Sequence, residues 1–373
     1  MKTILYICTE AASGMIPYAS VLIQAATKSA HLEAYAITVD DRKRSYRPGL
    51  EHLPAEHIRF LRMPNNLLKR ILYKLYAGHI LKEVKKISKS RHIDVIHLLT
   101  VEYTCATIVR QLQKIGCLYY TVHDVVPHER VYTGIKEYFF SIYMRLAVKY
   151  IMRKADCLVT NSHNQCQLIK NMYPNKKTYY QPFPPLITDS ILTGNKSCPE
   201  IASLYGYILF FGCIDKYKGI EYLYEAFVNN EKLRDYKLVI AGKGPVYFPY
   251  TDDPRIVFIN RYIEEEEVKS LFTRASCVVY PYISATQSGV LTIACQFQTP
   301  ALVSDIPFFR EITDEKCCLF FKPADTRDLS EKLERLLFHT DINEMKSAQQ
   351  TFFENNYAEN AVLASIENIY CHD

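Results

Sequence analysis

Residues able to hold an anion recur at three places in the second half of the chain. The run Phe210-Phe211-Gly212-Cys213-Ile214-Asp215-Lys216-Tyr217-Lys218-Gly219-Ile220-Glu221 passes from an apolar strand pattern through Gly212 to a helix start just after Lys218-Gly219. Lys216 and Lys218 at a strand end beside a helix start suit a diphosphate, which wants fixed positive charge and free backbone donors. A polar turn with two solvated lysines would carry the same letters. Ile240-Ala241-Gly242-Lys243-Gly244-Pro245 ends a second strand pattern. Gly242 and Gly244 would let a ligand approach the backbone, although turn glycines need no ligand. Tyr280-Pro281-Tyr282-Ile283-Ser284-Ala285-Thr286-Gln287-Ser288-Gly289-Val290 leads into the helical pattern Leu291-Thr292-Ile293-Ala294. There Gln287, Ser288, Gly289 and Val290 offer an amide, a hydroxyl and backbone donors at a helix N-terminus, the makings of an anion nest. Ser288 would serve equally as a plain helix cap.

The first half offers proton chemistry instead. In Tyr120-Thr121-Val122-His123-Asp124-Val125-Val126-Pro127-His128-Glu129 a strand pattern ends at Val122, and two histidines and two carboxylates follow. An imidazole donates or accepts a proton near neutral pH, and the neighbouring Asp124 can orient His123. A structural loop histidine is the competing reading. The spacing of His123 and His128 is not a standard zinc pattern. In Asn161-Ser162-His163, Ser162 reads as a helix cap rather than a nucleophile.

These loops need strands to position them. Short β-type runs alternate with longer helical patterns: Thr3–Cys8, Leu32–Val39, Ile58–Arg62, Val95–Leu99, Cys117–Val122, Cys157–Asn161 and Thr178–Gln181, then Tyr207–Phe211, Lys237–Ala241, Ile256–Ile259, Cys277–Tyr280, Ala301–Ser304 and Cys318–Phe321. Gln181-Pro182-Phe183-Pro184-Pro185 breaks the series, because proline fixes φ and lacks an N–H. The expected fold is α/β, with two doubly wound, Rossmann-like parallel-sheet domains facing a cleft. The expected domains are 1–185, 186–355 and a closing helix over 356–373 that packs back towards the first domain. In such sheets ligands bind beyond the carboxyl ends of strands.

Composition narrows the classes. A chain of 373 residues with 49% hydrophobic and 23% charged residues is neither disordered nor a small disulfide scaffold. A net charge of +5 implies no nucleic-acid partner. The 12 cysteines show no CxxC and sit mostly in apolar runs, as buried free thiols in a reducing cytoplasm do. The apolar run Ile4–Cys8 is too short for a signal-peptide core, and no uncharged stretch reaches membrane-spanning length.

The second-half motifs, in order and spacing, resemble the nucleotide-sugar domain of retaining glycosyltransferases of GT-B architecture, specifically glycosyltransferase family four. The resemblance rests on Gly212 with Lys218-Gly219-Ile220, on Ala241-Gly242-Lys243-Gly244-Pro245, and on the nest after Tyr280-Pro281. It continues through Thr299-Pro300-Ala301-Leu302-Val303-Ser304-Asp305 and Pro307-Phe308-Phe309-Arg310-Glu311-Ile312. It is close from Tyr207 to Phe321 and looser elsewhere. Cys213 stands where the family often has arginine, and Ala285 and Ile293 where it often has two glutamates. The Thr286-Gln287-Ser288-Gly289 sequence resembles a variant found among bacterial polysaccharide transferases.

The resemblance implies a diphosphate held by Lys218 with Lys216, sugar hydroxyls met by Gln287, and phosphate met by the Ser288 and Gly289 amides. Glu311 lies where a carboxylate could take over a missing one, or simply pair with Arg310. His123 and Asp124 fall on a His-Asp that faces the donor sugar in relatives, with Pro127 and His128 in the loop that follows. Gly14, in the loop after the first strand, falls where relatives approach the acceptor and the diphosphate. The implied reaction is transfer from a UDP- or GDP-sugar to a saccharide or lipid-linked acceptor, with retention of configuration, in surface or exopolysaccharide synthesis. No Asp-x-Asp occurs, so no obligatory metal or other cofactor is expected. A nucleotide-sugar-binding subunit without catalysis and a nucleotide-sugar epimerase are the competing functions.

One stretch points to a further partner. Leu68, Ile71, Leu72 and Leu75, then Ile80, Leu81, Val84 and Ile87, recur at helical spacing among Lys69, Arg70, Lys74, Lys82, Lys85, Lys86 and Lys89. Lys136, Arg145, Lys149, Arg153 and Lys154 add charge to the same half. A helix docked on the sheet with solvated lysines is one reading. Peripheral contact with an anionic membrane, at the inner face of the cytoplasmic membrane, is the other.

Overall fold

The computed structural model describes residues 1–10, 14–41, 45–125, 135–285 and 287–371; the side chains of Leu67 and of residues 135–137 are likewise outside the description. Pro127, His128 and Thr286 therefore lie outside the described residues.

The strands are β1 (Lys2–Cys8), β2 (Leu32–Asp40), β3 (Ile58–Arg62), β4 (Val95–Leu98), β5 (Cys117–Val122), β6 (Cys157–Thr160) and β7 (Lys177–Tyr180), then β8 (Tyr207–Phe211), β9 (Leu238–Ala241), β10 (Ile256–Ile259), β11 (Ala275–Tyr280), β12 (Ala301–Ser304) and β13 (Leu319–Phe321). They form a 7-stranded sheet ordered β3-β2-β1-β4-β5-β6-β7 and a 6-stranded sheet ordered β10-β9-β8-β11-β12-β13. Every pairing is parallel, as in Ile4 opposite both Ala34 and Val95, and Leu209 opposite both Val239 and Val278. Helices cover parallel sheets on both faces, so the central strands read as unbroken apolar runs. The middle of β1 and all of β9, β4 and β12 are buried in this way. Each sheet thus carries the doubly wound, Rossmann-like order expected of the sequence, with its strand order reversing between β1 and β4 in one and between β8 and β11 in the other.

The chain divides into two compact units. The first holds the described residues of Met1–Val126 and Tyr132–Pro184 together with Glu359–Asp373; the second holds Pro185–Ala358. The helix Glu359–Tyr370 belongs to the first unit, where the Tyr370 carbonyl accepts from Lys2 Nζ at 2.7 Å and Glu367 accepts from Ser29 Oγ at 2.5 Å. Tyr370 also reaches into the sheet, bonding His97 Nδ1, whose Nε2 meets Thr121 Oγ1 at 2.8 Å.

Three helical expectations are revised. The stretch 67–88 is two helices, Leu67–Leu75 and Gly78–Ser90, because Tyr76 turns extended between them. The alternation of strand and helix patterns also predicts a helix over Thr104–Lys114; that stretch is a tight 3-10 turn, Tyr103–Thr107, followed by the short helix Val109–Leu112. The helix after β11 starts at Val290, with Gly289 as its cap and no side-chain cap bond, so Ser288 does not cap it. All twelve cysteines are free thiols; nine are buried, while Cys117 and Cys213 are exposed.

Candidate functional site

In the second unit the loops after β8, β9 and β11 converge because these strands are neighbours. Gly212 sits at φ +148 and Gly242 at φ +150, where side chains are strained. A Cβ on Gly242 would lie 1.7 Å from the Gly212 carbonyl oxygen, and one on Gly244 would lie 2.0 Å from the Ile214 carbonyl oxygen. Both glycines are therefore accounted for by packing of one strand-end loop on another. The contact is sealed by Gly212 N–H to Ala241 O at 3.0 Å and Ile214 N–H to Lys243 O at 3.1 Å. Gly219 plays the same part for the β11 loop. Its φ is +61, and a Cβ there would lie 2.1 Å from the Pro281 carbonyl oxygen, while Ile283 N–H donates to Tyr217 O at 2.9 Å.

This packing buries Lys218 and leaves Lys216 at the surface. Lys218 is 6% exposed, with its ammonium 3.6 Å from the centre of the Tyr282 ring and 4.8 Å from that of Tyr217. Burial works against its charge; Tyr282, Tyr217 and Cys213 hold its pKa above the ordinary value only as anions at high pH, so at neutral pH the cost of burying the ammonium stands. Among the described residues no carboxylate pairs with it. Ring faces attract a cation but do not neutralise it, and buried charges ordinarily have counter-charges. The arrangement holds an unneutralised cation at the carboxyl end of the sheet, where its order reverses, which is where α/β sheets take ligands. Sequence reasoning found Lys218 but missed the tyrosines that sandwich it; the aromatic neighbours in Tyr217-Lys218 and Tyr280-Pro281-Tyr282 were the available signal. It also missed Tyr247, whose hydroxyl accepts from Ile220 N–H at 3.1 Å and donates to Glu221, fixing the start of the helix Ile220–Val228.

Val290 and Gly289 stand at the start of the short helix Val290–Gln296, with Gln287 and Ser288 before it in the loop from β11. Thr292 Oγ1 returns to Gly289 O at 2.6 Å, and Tyr280 Oη donates to Val290 O at 3.0 Å, so the loop end is tied to the strand it follows. Glu311 lies on the helix Pro307–Ile312. The local partner expected for it, Arg310, is engaged elsewhere: its Nε and Nη2 meet Asp305 at 2.6 and 2.9 Å, its Nη1 meets Glu315 at 3.1 Å, and its guanidinium lies 3.8 Å from the Phe320 ring.

In the first unit His123 is buried, its Nε2 3.0 Å from Leu99 O and its ring edge-on to Tyr18 at 5.0 Å. A carbonyl oxygen can only accept, so Nε2 carries a proton. Gln165, which sequence reasoning missed, clamps the loop: its Nε2 donates to His123 O at 3.0 Å, and its Oε1 accepts from Val125 N–H at 2.6 Å. Gln165 is placed by the helix His163–Met172, which Ser162 caps, as the sequence indicated. Asp124 follows His123 directly in this clamped loop. Gly14, at φ +88 with open space where a Cβ would be, precedes the helix Met15–Thr27.

The reversal between β1 and β4 holds a buried carboxylate that was also missed. Glu102 accepts from Thr9 N–H at 2.6 Å and from the hydroxyls of Thr9 and Thr100. Burial raises its pKa. Beside it Glu10 is raised to about 7, by burial first and by Glu102 second. Among the described residues no group of His, Cys, Asp or Glu is arranged to hold a metal ion, and no helix is long and apolar enough to cross a membrane.

Residues 206–339, within the second unit, match the family model described as Glycosyl transferases group 1. No curated protein matches the sequence. Among solved structures, sucrose-phosphate synthase from Thermosynechococcus elongatus is 17% identical, with a TM-score of 0.68 over 100% of this chain and 99% of that one. HepE of Anabaena in complex with UDP and glucose is 14% identical, with a TM-score of 0.69 over 100% of both chains. The putative UDP-N-acetylglucosamine 2-epimerase from Listeria monocytogenes is 13% identical, with a TM-score of 0.60 over 100% of this chain and 98% of that one.

Proposed function

We propose that the protein is a glycosyltransferase that moves a sugar from a UDP- or GDP-sugar to a saccharide or lipid-linked hydroxyl, with retention of configuration, in bacterial surface or exopolysaccharide synthesis. The observation that carries this is Lys218, a buried cation without a carboxylate partner among the described residues. It lies at the strand-order reversal of the unit that matches glycosyl transferases group 1. UDP and glucose bound to a structure of the same fold support a nucleotide-sugar donor.

In this reading Lys218 takes the diphosphate. Gly212, Gly242 and Gly244 shape the loops around it, with Lys216 contributing charge from the surface. The Ser288, Gly289 and Val290 amides supply further donors, Gln287 meets sugar hydroxyls, and Glu311 stands as an acidic contact. The bond from the sugar's anomeric carbon to the diphosphate oxygen breaks, and a bond to the acceptor oxygen forms on the same face. The acceptor's proton leaves on the diphosphate. His123 and Asp124 act on the cation-like sugar, and Gly14 belongs to the loop that meets the acceptor or the diphosphate. Fixed charge aimed at a departing diphosphate is electrostatic stabilisation of the transition state. No metal is required in this scheme. The enzyme works in the cytoplasm, and a lipid-linked acceptor places it at the membrane's inner face.

Thermal unfolding with UDP, GDP and their sugars tests the donor. A ligand at about 100 times its Kd stabilises the native state by about 2.7 kcal/mol. The true nucleotide should raise Tm in the native protein and fail to do so in Lys218→Ala; an equal rise in both would overturn the site. His123→Ala should keep the nucleotide response and lose turnover. Nucleotide binding without transfer to any acceptor would assign the binding-subunit reading, and product epimerised at the sugar the epimerase reading.

A further inference from the structure

The helix Leu67–Leu75 is built inside out. Arg70 and Tyr73 face the protein, while Lys69 and Lys74 stay exposed: Arg70 Nη2 pairs with Asp41 Oδ2 at 2.7 Å, and Tyr73 stacks on His79 with ring centres 3.6 Å apart. Its apolar stripe faces solvent, with Leu68 72%, Ile71 46%, Leu72 65% and Leu75 44% exposed, and Tyr76 follows at 60%. These positions are spaced three and four apart, so they form one continuous face. The next helix, Gly78–Ser90, behaves ordinarily: Ile80, Val84 and Ile87 are buried and its lysines are exposed. The two helices share a sequence pattern, and only the first leaves its apolar side uncovered.

A second apolar row lies against the same turn. The turn Tyr103–Thr107 touches the Leu67–Leu75 helix through Thr104 Oγ1, which donates to Lys74 O at 3.3 Å. It touches the helix Ile135–Lys154 through Tyr103, whose ring centre lies 5.5 Å from that of Phe140. That long helix exposes Phe139 at 64% and Leu146 at 64%, with Ile142 between them, and Arg145, Lys149 and Arg153 interleave with this row. Lys69 and Lys74 flank the other row, and the Leu67–Leu75 helix contains no acidic residue.

We propose that these two rows, flanking one turn of the first unit, form a surface that inserts into the interface of an anionic lipid bilayer, with the leucines and Phe139 entering the acyl boundary and the lysines and arginines meeting the headgroups. Charge selects the occupant. A large exposed apolar surface marks an interaction site, and basic side chains interleaved with large apolar ones match an anionic interface. The proposal deepens the reading of a lipid-linked acceptor by naming how the enzyme reaches it, and it specifies apolar insertion rather than charge alone.

Flotation with vesicles of phosphatidylcholine, alone or with phosphatidylglycerol, tests it on the full-length protein without nucleotide or acceptor. The native protein should float with the anionic vesicles and at least tenfold less with the neutral ones. Leu68→Ser/Leu72→Ser and Phe139→Ser/Leu146→Ser should each weaken binding at least tenfold, and their unchanged Tm checks folding. Leu72→Lys separates the mechanisms: insertion predicts weaker binding, whereas stronger binding from the added charge would overturn insertion. Failure of the native protein to float, or a lipid-free dimer that the serine variants dissolve, would overturn the proposal as well. Because flotation reads neither nucleotide binding nor turnover, a protein that floats without responding to any nucleotide sinks the transferase reading alone.

Discussion

Both sheets reverse their order beside a central strand, and the two crevices hold buried charge of opposite sign. Between β8 and β11 sits Lys218, 6% exposed, faced by two tyrosine rings and no carboxylate among the described residues. Between β1 and β4 sits Glu102, 1% exposed, with one backbone and two hydroxyl donors on its carboxylate. The same topology has produced a charge awaiting a partner and a charge already satisfied. A buried group whose needs are met from within serves the fold, whereas one left without a counter-charge costs stability that a ligand can return.

The largest test of that contrast is on Glu102. Glu102→Ala strands three donors, at about 1–3 kcal/mol each, so the unfolding free energy should fall by about 3 kcal/mol or more in denaturant titrations. Glu102→Gln keeps an acceptor oxygen and should recover most of the loss. A harmless alanine would mean that the carboxylate is not structural.

Next in size is a pH effect confined to the first unit. Burial pushes the buried His97 down to about 3, with His123 adding to it. The unfolded state takes a proton as pH falls through about 6.5, while the native state does not. This stability is therefore present above about pH 6.5 and is lost progressively towards pH 3, by about 2 kcal/mol between pH 7 and 5. Hydrogen exchange should show β4 and β5 losing protection over that range before β8 does, and His97→Gln should flatten the response. Equal loss in both sheets would break the comparison.

The smallest effect has the opposite sign to the first. Lys218→Met removes a charge with no counter-charge, so the ligand-free protein should keep its stability or gain about 1 kcal/mol. A clear loss of Tm without ligand would make Lys218 a structural residue and leave the site without its cation.

How far the sequence carried differs between the two crevices. The run from Phe210 to Glu221 advertised Lys218 through a glycine, a helix start and two lysines close together. Glu102 follows Thr100-Val101 with no local pattern, and its donors come partly from Thr9 on another strand's loop, so nothing nearby marked it. Gly242 and Gly244 were visible as turn glycines, but whether they faced a ligand or a neighbouring backbone depended on the 1.7 Å and 2.0 Å approaches made by the β8 loop. The 67–88 stretch was visible as amphipathic, but not which half would be covered.

The sequence by itself determined the alternation of strands and helices, the parallel-sheet class and the loops that carry polar chemistry. Those features follow from side-chain periodicity and turn residues, which act over a few positions. Only the tertiary structure decided which lysine is buried between Tyr217 and Tyr282, which carboxylate is satisfied, and which apolar face stays in solvent. Burial and pairing join residues from strands far apart in the chain, and local pattern does not encode which of them will meet.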